Sequence, residues 1–382
     1  MTDLTSTGPT LSAEGGPGNA ASSLICWEKI WPRTDLLDLL GVTHPIIQAP
    51  MSGFGGPALV AAVSNAGALG SLGCGATPNQ TARDQFQEIC RATNRPFNLN
   101  FFAHPAPYID VDASRRVRER LSDYYDEFDL GSVPEPSDPL PLFDEERLQL
   151  VLDLRPQVIS FHFGLPSADK LKRVKQTGAV VLCSATTVAE ARKLQAEGAD
   201  CIIAQGFEAG GHRGTFMGGD GAGLIGTMAL VPQVVDAVRV PVIAAGGIAD
   251  GRGIAAAFAL GASGVQIGTA FLGCPEATVS NVYRDALHRA ADEDTRLTRI
   301  FTGRAARVLR NRLTDELGDE EALEFPAQAS LTRPLTQTNN GSASAAFLPL
   351  WAGQGAPLIR DLSAAKLIDK LAIEASLLLP RT

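Results

Sequence analysis

From residue 45 onward the chain alternates short β-branched apolar runs with alanine-rich segments of helical period, and it does so eight times. Such brief apolar runs read as strands buried on both faces, and strands separated by helical segments read as parallel strands joined by crossover helices. The eight runs are residues 45–50 (PIIQAP), 68–73 (ALGSLG), 97–102 (FNLNFF), 158–164 (VISFHFG), 179–185 (AVVLCSA), 201–206 (CIIAQG), 241–247 (PVIAAGG) and 264–271 (GVQIGTAF). Eight such units predict a closed α/β barrel of the (β/α)8, TIM type. Helix ends agree with this register. Ser167 is placed to cap a helix over 168–176 that stops before Gly178, and Thr187 to cap one over 188–197 that stops before Gly198.

Two stretches interrupt the cycle. Residues 104–156 are too long for a simple crossover and contain an amphipathic charged segment at 113–127, a Pro-rich bend and a second helix around 144–154. After about Arg289 the barrel pattern stops, and residues 300–382 read as an irregular segment followed by helices at 345–353 and 362–379. The expected organisation is a disordered tail over 1–33, a barrel over 34–290 with its insertion at 104–156, and a smaller helical lobe or lid over 291–382 that sits above the barrel mouth.

Composition narrows the classes of partner. The chain carries 33 basic and 42 acidic residues, a formal charge of −9, without a basic stripe, which argues against nucleic acid. No run reaches the roughly 18 consecutive apolar residues of a membrane span. Residues 1–23 hold Asp3 and Glu14 but no Lys or Arg, so the charged start of a secretory signal is absent and a cytoplasmic location is expected. Six cysteines are scattered without a C-x-x-C pair, which predicts neither a metal cage nor a disulfide framework; they read as small buried hydrophobes. A small-molecule substrate is the expected partner, and nothing in the composition argues for an oligomeric state.

Barrel enzymes place their chemistry at the C-terminal ends of the strands. The polar and glycine-rich residues found there are Gln48 and Met51 followed by residues 52–56, then Asn98, Asn100, His162, Gln205, the pair Gly246 and Gly247, and the run Gln266, Ile267, Gly268, Thr269. The sixth strand leads into QGFEAGGHRG at 205–214, which sets Gly210 and His212 in a glycine-rich bend. An imidazole, with an unperturbed pKa of about 6.5, suits a catalytic base there. The glycine-rich ends of the seventh and eighth strands are where barrels grip a phosphate. Neither a G-x-G-x-x-G fingerprint nor a G-x-x-x-x-G-K-[ST] loop is present, so a mononucleotide is expected rather than a dinucleotide on a separate unit.

With these residues in place, the chain resembles the nitronate monooxygenase family, formerly called nitropropane dioxygenases, and within it the class that works without NAD(P)H. The resemblance is carried by PIIQAPM (45–51), AAVSNAGALGSLG (61–73), SFHFG (160–164), QGFEAGGHRG, the run 244–277 and WAGQGA (351–356), and covers roughly residues 36–375. It implies an FMN-containing barrel with a smaller helical lobe, in which Met51, Asn100, Gln205, Gly210, Gly246, Gly247, Gln266, Ile267, Gly268 and Thr269 bind FMN. It implies that His212 removes the proton α to the nitro group of a neutral nitroalkane and positions and charge-stabilises a nitronate. The implied reaction is oxidation of a small nitronate with FMN and dioxygen to a carbonyl compound and nitrite, with propionate 3-nitronate as the leading substrate. His162 and Arg333 are expected in the substrate pocket, and Arg213 is a further candidate partner for an anion. Where the class usually offers a tyrosine and a lysine near 325–335, this chain has no tyrosine and places Arg333 in the lysine's stead. Two other readings share the phosphate segments: an NAD(P)H-dependent FMN reductase of quinones or enoyl thioesters, and a barrel that binds FMN or another phosphate ligand without catalysis. A barrel of the IMP dehydrogenase type needs a loop cysteine, and none lies between Cys201 and Cys274.

Overall fold

Each of the eight apolar runs forms a parallel strand, because a run of β-branched residues that is apolar on both faces is satisfied only between a packed interior and a layer of helices. In chain order the elements are α1 (Asp35–Leu40), β1 (Ile46–Gln48), α2 (Pro57–Asn65), β2 (Gly70–Gly73), α3 (Asn79–Ala92), β3 (Phe97–Phe102), α4 (Val111–Glu127), α5 (Glu145–Leu154), β4 (Val158–His162), α6 (Ala168–Lys175), β5 (Val180–Ala185), α7 (Val188–Glu197), β6 (Cys201–Gln205), β7 (Gly211–His212), α8 (Thr227–Ala237), β8 (Val242–Ala245), α9 (Gly251–Ala259), β9 (Gly264–Ile267), α10 (Asn281–Arg289), β10 (Thr295–Thr298), β11 (Ala306–Leu309), α11 (Arg312–Leu317), α12 (Ala327–Thr336), α13 (Ala343–Phe347) and α14 (Ala364–Ser376). This computed structural model describes residues 30–137, 140–218, 222–318, 320–337 and 343–380. Most of the expected N-terminal tail, including Cys26, lies outside the described residues.

The barrel strands follow the order β1-β9-β8-β6-β5-β4-β3-β2. The ring closes where Leu69, just before β2, meets β1: its N–H donates to the Ile46 carbonyl at 3.0 Å, and its own carbonyl accepts from the Gln48 N–H at 2.9 Å. Thr187 caps α7 as expected, its hydroxyl accepting from the Glu190 N–H at 3.2 Å, and Gly198 ends that helix in the left-handed region. Ser167 precedes α6 but makes no side-chain capping bond. The insertion's helices are capped by Asp110 and Asp144, which accept from Ala113 and Arg147.

Packing divides the two interruptions differently from their order in sequence. Leu148, Leu150 and Val151 of α5 join the barrel's apolar cluster. By contrast Val117, Leu121 and Tyr125 of α4 pack with Ile300, Phe301, Leu313, Leu331 and Phe347 in a second cluster. The Tyr125 hydroxyl donates to the Leu331 carbonyl at 2.8 Å. So α4 and the segment β10 to α13 form the lobe, and α5 belongs to the barrel. The expectation that 291–382 forms one lobe does not describe α14. Its Leu367, Ile368, Leu371, Ala372 and Ala375 are buried in the barrel cluster, and the helix packs against α2 and α9 within the outer ring.

The helix expected over 345–353 ends at Phe347. Pro349 has no N–H to donate and disfavours helical backbone at Leu348. Beyond it the chain is extended: the Leu309 N–H donates to the Leu350 carbonyl at 2.8 Å, and Trp351 bridges to Val308. Strand β11 and helices α11 and α12 occupy what the sequence presented as irregular, and β10, just ahead of it, pairs with β11. Among the described residues no helix is long and apolar enough to cross a membrane.

Candidate active site

A cavity of about 350 Å³ opens at the C-terminal ends of the strands. It gathers Met51 after β1, Asn100 of β3, His162 of β4, Gln205 of β6, Gly210 and His212 of the following bend, Gly246 and Gly247 after β8, and Gln266, Gly268 and Thr269 at the end of β9. Eleven of the expected site residues therefore meet in one place. Ile267 does not join them. Side chains alternate along a strand, so with Gln266 facing the cavity Ile267 points outward, and it is 1% exposed in the apolar layer beneath the helices. Gln48 and Asn98 are fully buried below the mouth, where Gln48 accepts from the Ser71 N–H and Asn98 donates to Ser71 and Ser160.

His212 is not on a loose bend. Gly211 and His212 form β7, which pairs antiparallel with Ala306 and Arg307 of β11, so the lobe's hairpin holds the histidine. Its carbonyl oxygen accepts from Gln205 Nε2 at 3.0 Å and faces His162 Nε2 at 3.2 Å. A carbonyl only accepts, so His162 carries its proton on Nε2, and its Nδ1 accepts the Ser184 hydroxyl at 2.9 Å. Both ring nitrogens of His162 are thereby engaged with the protein, and this side chain lines the cavity as a support for His212. On the histidine itself, Nε2 lies 2.9 Å from the Thr302 hydroxyl, and Nδ1 makes no hydrogen bond among the described residues.

Aromatic rings enclose the imidazole. Trp351, Phe325, Phe163 and Phe102 have centroids 5.1, 5.5, 6.0 and 6.4 Å from it. Phe163 takes a left-handed φ of 72°, uncommon for a bulky residue, and this conformation sets its ring against His162 on one side and the Arg304 guanidinium, 3.9 Å away, on the other. Burial lowers the His212 pKa to about 3, helped by His162 and the Arg304 charge. Burial likewise lowers His162 to about 3. Burial thus favours the neutral form of both rings at physiological pH.

Neither expected anion partner reaches the cavity. Arg213 is 2% exposed, and its guanidinium donates to the carbonyls of Gln205, Gly206 and Gly223. It is a brace for the bend. Arg333 is exposed on α12, from which Ala329 lines the cavity instead. Among the described residues the lining contains no Lys, Arg, Asp or Glu.

The far side of the mouth has features of a cofactor cradle. Gly246 and Gly247 have φ of 118° and 71°, which turn the backbone at the end of β8 in a way that side-chain-bearing residues resist. The Oε1 atom of Gln266 is buried without a hydrogen-bond partner, the position of an acceptor that waits for a donor. Gly210 lets two backbones touch: a Cβ there would lie 2.5 Å from the Gly353 nitrogen. The Gly353 N–H in turn donates to the Thr269 hydroxyl at 3.0 Å, so residues 351–355 tie the histidine bend to the end of β9. Sequence reasoning did not name Thr302 or Trp351 as wall residues, although the WAGQGA motif gave Trp351 a local signal; Phe325 and Ala329 fall in the segment 325–335 that the resemblance had pointed toward the active site.

Comparison with known proteins agrees with this geometry. The model of the nitronate monooxygenase family matches residues 33–374. The nitronate monooxygenases of Paraburkholderia phytofirmans and Pseudomonas aeruginosa are each 42% identical to this chain, over 342 and 347 residues, which is 88% of this chain in both cases and 93% and 97% of the relatives. Among solved structures, nitroalkane oxidase from Streptomyces ansochromogenes superposes with a TM-score of 0.82 at 38% identity, covering 90% of this chain and 99% of its own. FabK from Thermotoga maritima superposes with a TM-score of 0.65 at 28% identity, covering 89% and 95%.

Proposed function

The chain belongs to the nitronate monooxygenase family, and from that premise we propose that FMN binds in the barrel mouth and that His212 is the base for neutral nitroalkanes. The protein is an oxidoreductase that oxidises nitronates. Gly246, Gly247, Gly268 and Thr269 would hold the phosphate, and Asn100, Gln205 and Gln266 the polar edges of the ring system and ribitol. The buried, unpartnered Oε1 of Gln266 supports this fit, since a ring N–H would satisfy it. A volume of about 350 Å³ also lies within the range of roughly 300–1,000 Å³ usual for cofactor and ligand pockets. When bound, FMN accepts electrons from the nitronate and passes them to dioxygen, and the products are a carbonyl compound and nitrite.

The observation that carries the reading is the setting of His212: enclosed by four aromatic rings and hydrogen-bonded to the protein through one nitrogen only, with burial favouring its neutral form. In the tautomer whose Nε2–H donates to the Thr302 hydroxyl, the Nδ1 lone pair is the proton acceptor for a nitroalkane α-carbon. A protonated imidazole in this dry site is costly alone, and the nitronate formed beside it supplies the compensating negative charge. With a nitronate as substrate no proton leaves carbon, and the ring positions the anion. Phe102, Phe325 and Trp351 keep water from the reacting carbon.

The test uses the full chain saturated with FMN. Anaerobic addition of butyl-1-nitronate should bleach the flavin, and admission of air should restore it with release of nitrite. His212→Asn should keep the flavin absorbance and slow turnover of the neutral nitroalkane about 10²- to 10⁴-fold, the span usual for a general base. Flavin that ignores nitronates but is bleached by NADH would move the chain to the reductase class.

A further inference from the structure

We propose that the wall beside His212 selects nitronates with uncharged, apolar side chains and discriminates against those that bear a carboxylate, propionate 3-nitronate included. This rests on the mouth being a nitronate site. Every such substrate carries the same nitronate anion, so its desolvation is common to all and the remainder of the molecule decides the preference.

That remainder meets rings and a methyl group. Trp351, Phe325 and Phe102 surround the imidazole, and Ala329 of α12 lines the same cavity. The neighbouring cations are held elsewhere. Arg213 is bound to three backbone carbonyls. Arg304 lies over the Phe163 ring, donates to the carbonyls of Thr215 and Arg213, and lines an adjacent cleft rather than the mouth. Arg333 is exposed on α12. A carboxylate that entered this wall would lose its hydration with no lining cation among the described residues to replace it, whereas an alkyl chain of similar size gains by leaving water. Phe325 and Ala329 are thus specificity-determining residues. Their chemistry, with no hydroxyl and no charge, fits an alkyl or aryl side chain.

The experiment compares butyl-1-nitronate with propionate 3-nitronate, two substrates of nearly equal length that differ in a terminal ethyl group against a carboxylate. Both are assayed for nitrite with the FMN-saturated full chain. The expected result is a kcat/KM at least tenfold higher for butyl-1-nitronate, and Ala329→Lys should shift the ratio at least tenfold toward propionate 3-nitronate while Ala329→Met should not. Equal or faster oxidation of propionate 3-nitronate by the unaltered protein would overturn the proposal. So would a preference that Ala329→Lys leaves in place, because α12 would then not form the discriminating wall. If the flavin-loaded protein oxidises neither compound, the nitronate-site reading itself fails.

Discussion

Replacing Gly210 with alanine puts a methyl group 2.5 Å from the Gly353 nitrogen and 2.6 Å from the Ala352 carbonyl carbon. Ordinary contact begins near 3.4 Å, so the histidine bend and the segment 351–355 must separate by about 1 Å, and both contacts are backbone atoms that cannot rotate away. Overpacking of this kind costs about 1–3 kcal/mol. For a chain of 382 residues the entropy of unfolding is about 0.8 kcal/mol per kelvin, taking ~2.1 cal/mol/K per residue, so the melting temperature should fall by only about 1–4 °C. Activity should suffer much more. Gly210 stands two residues before His212, and the displaced segment carries Trp351, whose ring packs on the imidazole at 5.1 Å. A misplacement near 1 Å in a catalytic group can cost about 100-fold. Thermal melts and kcat/KM for a neutral nitroalkane, measured on FMN-saturated Gly210→Ala, separate the two effects. A variant that melts with the parent and turns over within twofold of it would refute the claim that this backbone contact positions the base.

Thr302→Val removes the only hydrogen-bond partner of the His212 ring among the described residues and leaves Nε2 unsatisfied. A hydrogen bond worth about 1–1.5 kcal/mol corresponds to roughly a tenfold fall in kcat/KM for neutral nitroalkanes, with a smaller effect on nitronates; equal loss on both would argue against an orienting role for Thr302. Acid should destabilise the fold through His44, His162 and His212, which burial lowers to about 4, 3 and 3. Between those values and the unfolded pKa of about 6.5 the unfolded chain binds more protons, so their contribution is complete above pH 6.5 and declines as pH falls, by roughly 2 kcal/mol each at pH 5. Carboxylates titrate lower, so a melting temperature that stays level from pH 6.5 to 5 would contradict the buried neutral state of these rings.

Much of the site was legible because it is local. Strand ends follow from the apolar runs, and the barrel rule assigns function to those ends, so eleven named residues could be placed without any knowledge of what faces them. Ile267 failed for a local reason too: it lies one residue from Gln266, and the two-residue period of a strand sends neighbours to opposite faces. The arginines failed for a different reason. Arg213 and Arg333 look alike as sequence, both near a motif and both able to hold an anion, yet one is sealed against three carbonyls and the other faces solvent. No pattern in the neighbouring residues distinguishes them, since burial there is set by what arrives from elsewhere in the chain.

The periodicity of residues 45–271 determined the barrel, the order of its strands and helices, and the edge on which chemistry would lie, because hydrophobic period and turn glycines act through neighbours a few residues apart. Tertiary structure decided what closes that edge. Residues 211 and 212 pair with 306 and 307, Thr302 meets the imidazole, and Trp351 covers it, contacts that span about 90 to 140 positions. Each depends on a backbone register fixed by the packing of the lobe as a whole. A lone threonine, phenylalanine or alanine carries no period that would announce it, and so the nature of the wall, and with it the choice of substrate, is a property of the fold rather than of any segment.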